Sequence, residues 1–243
     1  MAKQATKSVS EKPRGFSFSS KTIQILKNFA KYNEGVVIKP GSDLVTMTPQ
    51  KNVFVEAKTD DVIPVQMAIY NLTEFLNSLT LFDGLQLSFD FIDNGVVLNG
   101  GNSSLTYMFA DPSVIVHPEK RVGLKNPDFE FDLGWEYLSR VMEGARALSL
   151  PNIALLADSK NRLVFRALDA SNSSSNHFDV VVLEKSPLES GEEFTVHFRL
   201  ENMKFLELDY HVAVSFKGIA TFRNEDFGVQ YAVGLAPSAV PTT

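Results

Sequence analysis

The 243-residue chain contains no cysteine, so disulfide bonds and thiolate catalysis are both excluded. A reducing cytoplasm is compatible with that composition. No apolar run approaches the roughly 20 residues needed to cross a bilayer, which predicts a protein without a membrane-spanning segment. Residues 1–15 include basic side chains but no apolar block, which indicates a flexible extension and no secretory signal.

The usual signatures of catalysis and cofactor binding are also missing. No Gly-rich loop precedes Lys-Ser or Lys-Thr, and no Gly-x-Ser-x-Gly turn is present. None of the four histidines (His117, His177, His197 and His211) has a partner at metal-ligand spacing. Asp60 and Asp61 are adjacent, and adjacent side chains on a strand point to opposite faces. The sequence therefore predicts a non-enzymatic protein without a metal or cofactor.

Basic charge is scarce, because the formal net charge is −6. That balance argues against a protein that coats nucleic acid with a broad basic surface. It allows a protein that collects its few cations on one face. Hydrophobic residues make up 44 % of the chain, and its length is enough for a substantial core.

Short apolar runs bounded by Pro, Gly, Asn or Asp dominate the sequence. Asp93-Asn94-Gly95, between two such runs, is typical of a hairpin turn. The pattern predicts a β-rich protein. The predicted strands are Gly35–Lys39, Asp43–Thr48, Asn52–Lys58, Leu85–Ile92, Gly95–Gly100, Ser103–Ala110, Asn152–Asp158, Arg162–Leu168, Phe178–Lys185, Glu193–Leu200, Asp209–Gly218 and Gly228–Ala236.

Four segments have helical spacing of apolar residues. The first starts at Ser19 or Ser20, and the second starts at Asn71. The third runs from about Trp135 to Leu148, and the fourth from about Glu201 to Leu208.

The four helices fall at matching places in two halves of the chain. Ile69–Leu76 aligns with Arg199–Leu206 at an offset of 130 residues. An internal repeat of this length predicts two similar domains joined where prolines interrupt regular structure. The expected boundaries are 16–111 for the first domain, 112–127 for the connector and 128–243 for the second domain.

Six basic side chains lie on the predicted helices, against five acidic ones. The first helix is clearly basic, whereas the second carries only Glu74. This asymmetry has the sign that a DNA-facing helical layer requires, although a solvated helix face has the same pattern. The six candidates are Lys21, Lys27, Lys31, Arg140, Arg146 and Lys204.

The order and spacing of several short motifs resemble the sliding clamps of T4-like bacteriophages. They include Ile25–Ala30, Ala68–Leu72 and Ala110–Ser113 in the first half. In the second half, Ser139–Leu148 and Glu201–Lys204 continue the likeness. The resemblance covers roughly residues 16–237.

This resemblance implies an α+β fold of two similar sliding-clamp domains, each mostly antiparallel sheet with two helices lining the interior of a homotrimeric ring. Such a ring encircles duplex DNA and gives the replicative polymerase its processivity, without being an enzyme. The six basic side chains would then face DNA. The implied partners are duplex DNA, two further copies of the chain, the replicative polymerase and a clamp-loader ATPase, and the implied location is the host-cell cytoplasm.

The resemblance also implies two protein-binding regions. A polymerase peptide would dock beside the connector, at a pocket formed by Met47, Val114, Ile115, Val116, Leu235 and Pro237. Subunits would meet along two strands, at Ser104, Leu105, Tyr107, Phe109, Phe178, Val180, Val181 and Val182. Two alternatives stay open from the residues: a monomeric processivity factor that holds DNA on a basic face, and a β-rich viral structural protein.

Overall fold

The computed structural model describes residues 13–172, 174–188 and 193–236. Within these ranges the chain forms fifteen strands and three α-helices. The first half contains α1 (Ser20–Phe29), β1 (Val36–Ile38), β2 (Gly41–Met47), β3 (Val53–Ile63), β4 (Met67–Ile69), α2 (Leu72–Leu79), β5 (Ser88–Ile92), β6 (Gly95–Gly100) and β7 (Ser103–Met108). The second contains β8 (Phe129–Leu133), α3 (Trp135–Ala147), β9 (Asn152–Ala157), β10 (Leu163–Leu168), β11 (Phe178–Leu183), β12 (Thr195–Arg199), β13 (Tyr210–Ser215), β14 (Ile219–Asn224) and β15 (Val229–Gly234). None of the described helices combines the length and apolar character needed to cross a membrane.

The two halves repeat one topology. β1 pairs with β4 as β9 pairs with β12, and β5-β6-β7 corresponds to β13-β14-β15. The bridge between Phe16 and Phe89 on β5 takes the place of the pairing between β8 and β13. The repeat predicted from sequence is therefore present in the strand pairing.

The halves are joined by backbone hydrogen bonds as well as by the connector. β15 pairs antiparallel with β3, giving a six-stranded sheet in the order β2-β3-β15-β14-β13-β8. A single apolar core cluster includes Phe29 and Phe75 from the first half and Phe165 and Phe222 from the second. The connected sheet and core fix the position of one half relative to the other.

Local sequence signals explain where the helices begin. The Ser19 hydroxyl accepts a hydrogen bond from the Thr22 N–H at α1, and the Asn71 side chain accepts one from the Glu74 N–H at α2. Both are the side-chain caps that satisfy free N–H groups in a first helical turn. The predicted hairpin is also confirmed, since Ile92 pairs with Gly95. A Cβ at Gly95 would collide with the Tyr107 carbonyl oxygen, so close approach of strands requires glycine there.

The fourth predicted helix is wrong. Leu200–Asn202 forms one 3-10 turn, and the following residues leave the helix. Side chains replace the missing helical hydrogen bonds: the Tyr32 hydroxyl accepts from the Lys204 N–H at 3.0 Å, and Asn28 Nδ2 donates to the Lys204 carbonyl at 2.8 Å. Helical spacing in the sequence reflects which residues are buried, and here buried polar groups hold the same residues in an irregular conformation.

Candidate functional site

The basic surface is built where α1 meets the irregular segment after β12. Lys27 lies in the last turn of α1 and Lys31 in the turn that follows the helix, and both side chains are exposed. Lys204 Nζ donates to the Lys31 carbonyl oxygen at 2.8 Å, which places its charge beside them. These three cations come from both halves of the chain and lie together at the junction between the halves.

A groove of about 640 Å³ continues the basic surface toward the C-terminal end of α3. Arg146 and Lys204 both line it. Arg199 lines it too, with its Nη1 3.5 Å from Glu201 Oε1. The helix-by-helix charge comparison missed Arg199 because the fourth segment was counted from Glu201, two residues further along. A count over the whole repeat unit would have included it.

Lys21 is held away from this surface. Its Nζ lies 3.6 Å from Asp60 Oδ1 and 5.3 Å from the centre of the Phe227 ring. An ion pair and a cation–π contact together occupy the ammonium group. The structure therefore does not bring Lys21 to the other cations. Arg140 is exposed on α3, six residues before Arg146.

Buried tyrosines position the segment that carries Lys204. The Tyr231 hydroxyl accepts from the Leu206 N–H at 3.2 Å and donates to Asn28 Oδ1 at 2.9 Å, while the Tyr210 hydroxyl donates to the Leu206 carbonyl at 2.6 Å. Burial raises the pKa of both tyrosines well above the ordinary value. They therefore stay neutral and keep the protons that these hydrogen bonds need.

The two strands predicted as subunit contacts are both at sheet edges. β7 ends the sheet β5-β6-β7, and β11 ends the sheet β11-β10-β9-β12. Leu105 and Tyr107 pack against the core from β7, and Val180 and Val182 are buried on β11. Ser104 is exposed and Val181 is half-buried on the opposite faces of these strands. Phe109 follows β7 and Phe178 begins β11, and both are half-buried against the core.

The connector crosses the outer face of β2 and β3. The Arg121 guanidinium bridges Asp43 and Glu56, with 2.8 Å between Nη1 and Glu56 Oε1. Gln230 on β15 donates from Nε2 to the Val122 carbonyl at 3.4 Å. A groove of about 260 Å³ lies beside the connector. Its lining residues are Lys39, Pro40, Asp43, Val45, Phe54, Pro118, Glu119, Lys120 and Arg121.

None of the pocket residues predicted from sequence lines this groove directly. Met47 lies opposite Phe54 in the β2–β3 pair, so it is next to the groove. Val114 and Val116 are exposed, but Ile115 is only 5 % exposed because it packs against Val37 and Ala68. The prediction that Ile115 is accessible is therefore wrong. Leu235 is half-buried, and Pro237 lies outside the described residues.

Among the described residues, no group of three His, Asp or Glu side chains could hold a metal ion.

The family described as DNA polymerase processivity factor matches residues 17–117. A sliding clamp of Vibrio phage KVP40 is 32 % identical over 206 residues, covering 83 % of this chain and 91 % of the relative. The sliding clamp of Enterobacteria phage T4 is 26 % identical over 221 residues, covering 89 % of this chain and 95 % of the relative.

Among solved structures, the Helicobacter pylori beta clamp bound to a DNA ligase peptide has a TM-score of 0.69 and 13 % identity. It is matched over 96 % of this chain and 68 % of that one. The fold is therefore that of a sliding clamp with two similar domains. With the extent and identity of the phage matches, the chain belongs to the sliding clamps of T4-like bacteriophages, which are processivity factors of DNA replication.

Proposed function

We propose that three copies of this chain close into a ring around duplex DNA and hold the replicative polymerase on it. The observation that supports this proposal is that two sheet edges are unpaired, whereas the equivalent two edges in the repeat pair with each other. β7 corresponds to β15 and β11 corresponds to β3, and β15 pairs antiparallel with β3 inside the chain. The same pairing between β7 of one subunit and β11 of the next would continue the sheet from chain to chain.

Hydrogen-bond alternation supports this pairing. The Phe109 N–H donates to the Asn94 carbonyl at 2.9 Å, so odd-numbered residues of β7 bond to β6 and the N–H of Thr106 points to the free edge. The Asp158 N–H donates to the Arg162 carbonyl at 3.0 Å, so even-numbered residues of β10 bond to β9 and odd-numbered residues of β10 bond to β11. By the same alternation, the N–H of Val181 on β11 points away from β10, to the free edge. Both edges offer the donors and acceptors that an added strand needs.

The two edges differ, so each subunit would use one edge toward each neighbour. Such a head-to-tail contact generates a closed ring when the rotation between subunits fits a whole number of copies. The family resemblance favours three copies. With two similar domains in each chain, expected at 16–111 and 128–243 with the connector 112–127 between them, the ring would have six similar units.

The basic surface fits a DNA role that needs little affinity. A closed ring stays on duplex DNA by topology, so a few sequence-independent phosphate contacts from Lys27, Lys31 and Lys204 suffice. Arg146 and Arg199 extend that contact along their groove, and Arg140 is a further candidate. The net charge of −6 leaves the rest of the molecule acidic, which discourages DNA from binding outside the ring. The ring itself would catalyse no reaction.

The connector groove is the candidate docking site for the polymerase. The Helicobacter pylori clamp binds a DNA ligase peptide, so a clamp of this fold can hold a partner by a short peptide. Here the apolar walls are Val45, Phe54 and Pro118, with Met47 and the exposed Val114 and Val116 nearby. A clamp-loader ATPase would open the ring, and the protein would act in the cytoplasm of the infected host cell.

Native mass over a dilution series tests the ring. We expect a species of about three times the 26.9 kDa mass of one chain. A protein that stays monomeric at micromolar concentration yet stimulates polymerase would favour a monomeric processivity factor and overturn the proposal. A monomer with no effect on polymerase would favour a viral structural role.

A further inference from the structure

Buried polar side chains reinforce the strand pairing at the junction inside the chain. Beside the β15–β3 pair, Asn28 Nδ2 donates to the Lys204 carbonyl at 2.8 Å, and the Tyr231 hydroxyl donates to Asn28 Oδ1 at 2.9 Å. The Tyr32 hydroxyl accepts from the Lys204 N–H at 3.0 Å. Side chains from α1, from the turn after it and from β15 therefore connect the two halves by hydrogen bonds.

The repeat identifies the equivalent positions on the helix of the second half. Four buried residues of α1, at positions 22, 25, 26 and 29, have the same spacing as the four buried residues of α3, at positions 138, 141, 142 and 145. Alignment of the two sets places Gly144 at the position of Asn28. It places Leu148 at the position of Tyr32.

The strand at the free edge is aligned by its register. The last residue of β7, Met108, pairs with the first residue of β6, and the last residue of β15, Gly234, pairs with the first residue of β14. Counting back three residues from each end aligns Leu105 with Tyr231. The first half therefore has an aliphatic side chain where the second half has a hydroxyl group.

None of these three equivalents can form the hydrogen bonds of the internal junction. Gly144 has no side chain, and a Cβ there would collide with the ring of Phe178, which packs on α3 from β11. Leu105 and Leu148 are aliphatic. A junction made from the same positions would therefore be held by apolar contact.

Leu148 is exposed in a single chain, although its equivalent is buried. Leu148 is 43 % exposed at the end of α3, whereas Tyr32 is 6 % exposed with the Lys204 backbone at its hydroxyl. By the alignment of the two halves, Lys204 corresponds to Glu74 in the first turn of α2. The segment that would cover Leu148 in the same way is thus the start of α2 in another copy of the chain.

We propose that Leu148 is a subunit-contact residue, which packs on the first turn of α2 of the next subunit, beside Glu74. Phe178 and Leu105 supply the apolar side chains of the strand pair at the same junction. The inference rests on the proposed pairing of β7 with β11. A second copy is the occupant of this surface, because the β15–β3 pairing already makes the equivalent contact inside the chain. Apolar surface removed from water stabilises the contact.

Cysteine cross-linking tests the contact directly, because the chain has no cysteine of its own. Leu148→Cys combined with Glu74→Cys should link neighbouring subunits on mild oxidation and give covalent trimers on a denaturing gel. The matched control combines Leu148→Cys with Val62→Cys, since Val62 is 72 % exposed on β3, and it should stay reduced. Equal linkage in both variants, linkage only within one chain, or no linkage in a trimeric clamp would overturn the proposal.

Dilution of a variant without cysteine gives a second readout. Leu148→Ala should raise the dissociation constant of the subunit contact by about tenfold or more, with unchanged circular dichroism, because most of the buried aliphatic side chain is lost. Val62→Ala is the control and should dissociate like the wild type. Unchanged dissociation of Leu148→Ala would overturn this contact and leave the ring standing. A wild-type chain that stays monomeric would overturn the ring, and this contact with it.

Discussion

At the scale of single residues, cations of equal formal charge differ in whether neighbouring side chains already bind them. Lys21 has Asp60 and Phe227 within reach, whereas the side chains of Lys27, on α1, and Lys31, in the turn after it, are exposed. A free ammonium group can exchange its counterions for a phosphate, and an ion-paired one must first give up its partner. Lys27 and Lys31 should therefore contribute more to DNA binding than Lys21 does.

Replacing Lys27 and Lys31 together by glutamate should weaken DNA loading and polymerase stimulation while leaving the oligomer intact. Each lost phosphate contact lowers the slope of log affinity against log salt by about 0.9, so the double variant should lose up to about 2 from that slope. Binding isotherms at several salt concentrations measure it. Lys160→Glu, in the exposed turn before β10, is the matched control of equal charge change per site. Normal stimulation by the double variant would mean that α1 does not face DNA.

Ile115 and Val114 are neighbours with opposite environments, which makes them a paired test of the connector. Ile115→Asp should lower the free energy of unfolding by more than about 2 kcal/mol, because a carboxylate would replace a buried aliphatic side chain. Val114 is 60 % exposed, so Val114→Asp should leave the melting temperature nearly unchanged and weaken binding of a polymerase C-terminal peptide. Thermal melts and peptide titrations separate the two effects. Unimpaired peptide affinity in a stable Val114→Asp clamp would remove Val114 from the docking site.

The sequence shows the kind of residue at each of these positions but not its neighbours. The aliphatic run 114–116, flanked by prolines, predicts an apolar connector, and Val114 and Val116 are indeed exposed. The burial of Ile115 depends on Val37 and Ala68, more than 40 positions earlier in the chain. The pairing of Lys21 with Asp60 is similarly distant. Contacts over such separations are set by the fold, so periodicity cannot anticipate them.

At the scale of elements, proline can test each free edge if it is placed at a residue whose N–H points outward. Thr106→Pro and Val181→Pro each remove one outward donor, so each should yield a folded chain with weakened assembly. Tyr107 is a poorer choice, because its N–H bonds to β6 inside the sheet. Tyr107→Pro is therefore the contrasting variant, expected to lose stability as well.

Native mass and circular dichroism together report on these variants. Trimer mass retained by both Thr106→Pro and Val181→Pro would exclude the pairing of β7 with β11. Loss of folded structure in both would call for Thr106→Asp with Val181→Asp, which adds edge charge without removing a backbone donor.

The segment after β12 depends on tyrosine hydroxyls, which makes a second test at this scale. Tyr231→Phe removes the acceptor of the Leu206 N–H and the donor to Asn28. Leaving buried polar groups unpaired should cost about 1–3 kcal/mol of unfolding free energy, measured by urea denaturation. Tyr137→Phe, at a partly exposed position of α3, should cost much less. Equal stability of both variants would mean that the tyrosine does not hold the segment.

Elements with strong local signals were predictable, and those shaped by distant side chains were not. β6 has the bounds expected from its turn residues, and α1 and α2 begin at the expected caps. β4 and β14 were not expected as strands, because Met67–Ile69 is very short and Ile219–Asn224 lacks clear alternation. The fourth helix failed for a different reason, since Asn28 and Tyr32 take over the hydrogen bonds of its backbone.

At the scale of the whole molecule, encirclement can be separated from affinity. Clamps placed by a clamp loader on nicked circular DNA should remain bound in high salt, where phosphate contacts are weak. Cutting the circle once should release them, because a ring can slide off an end. Gel filtration before and after cutting measures retention. A protein held by a basic face would dissociate in high salt from circles and linear DNA alike.

The continuous β15–β3 pairing also has a mechanical consequence. A ring of these subunits would contain two kinds of junction between similar units. The junction inside each chain is reinforced by the connector and by the bridges from Lys204 to Lys31 and from Tyr231 to Asn28. The junction between chains would have strand pairing without a covalent tether. Under a force that widens the ring, strain should concentrate at the junctions between chains. A clamp loader would therefore need to bind only the two subunits that meet at one such junction.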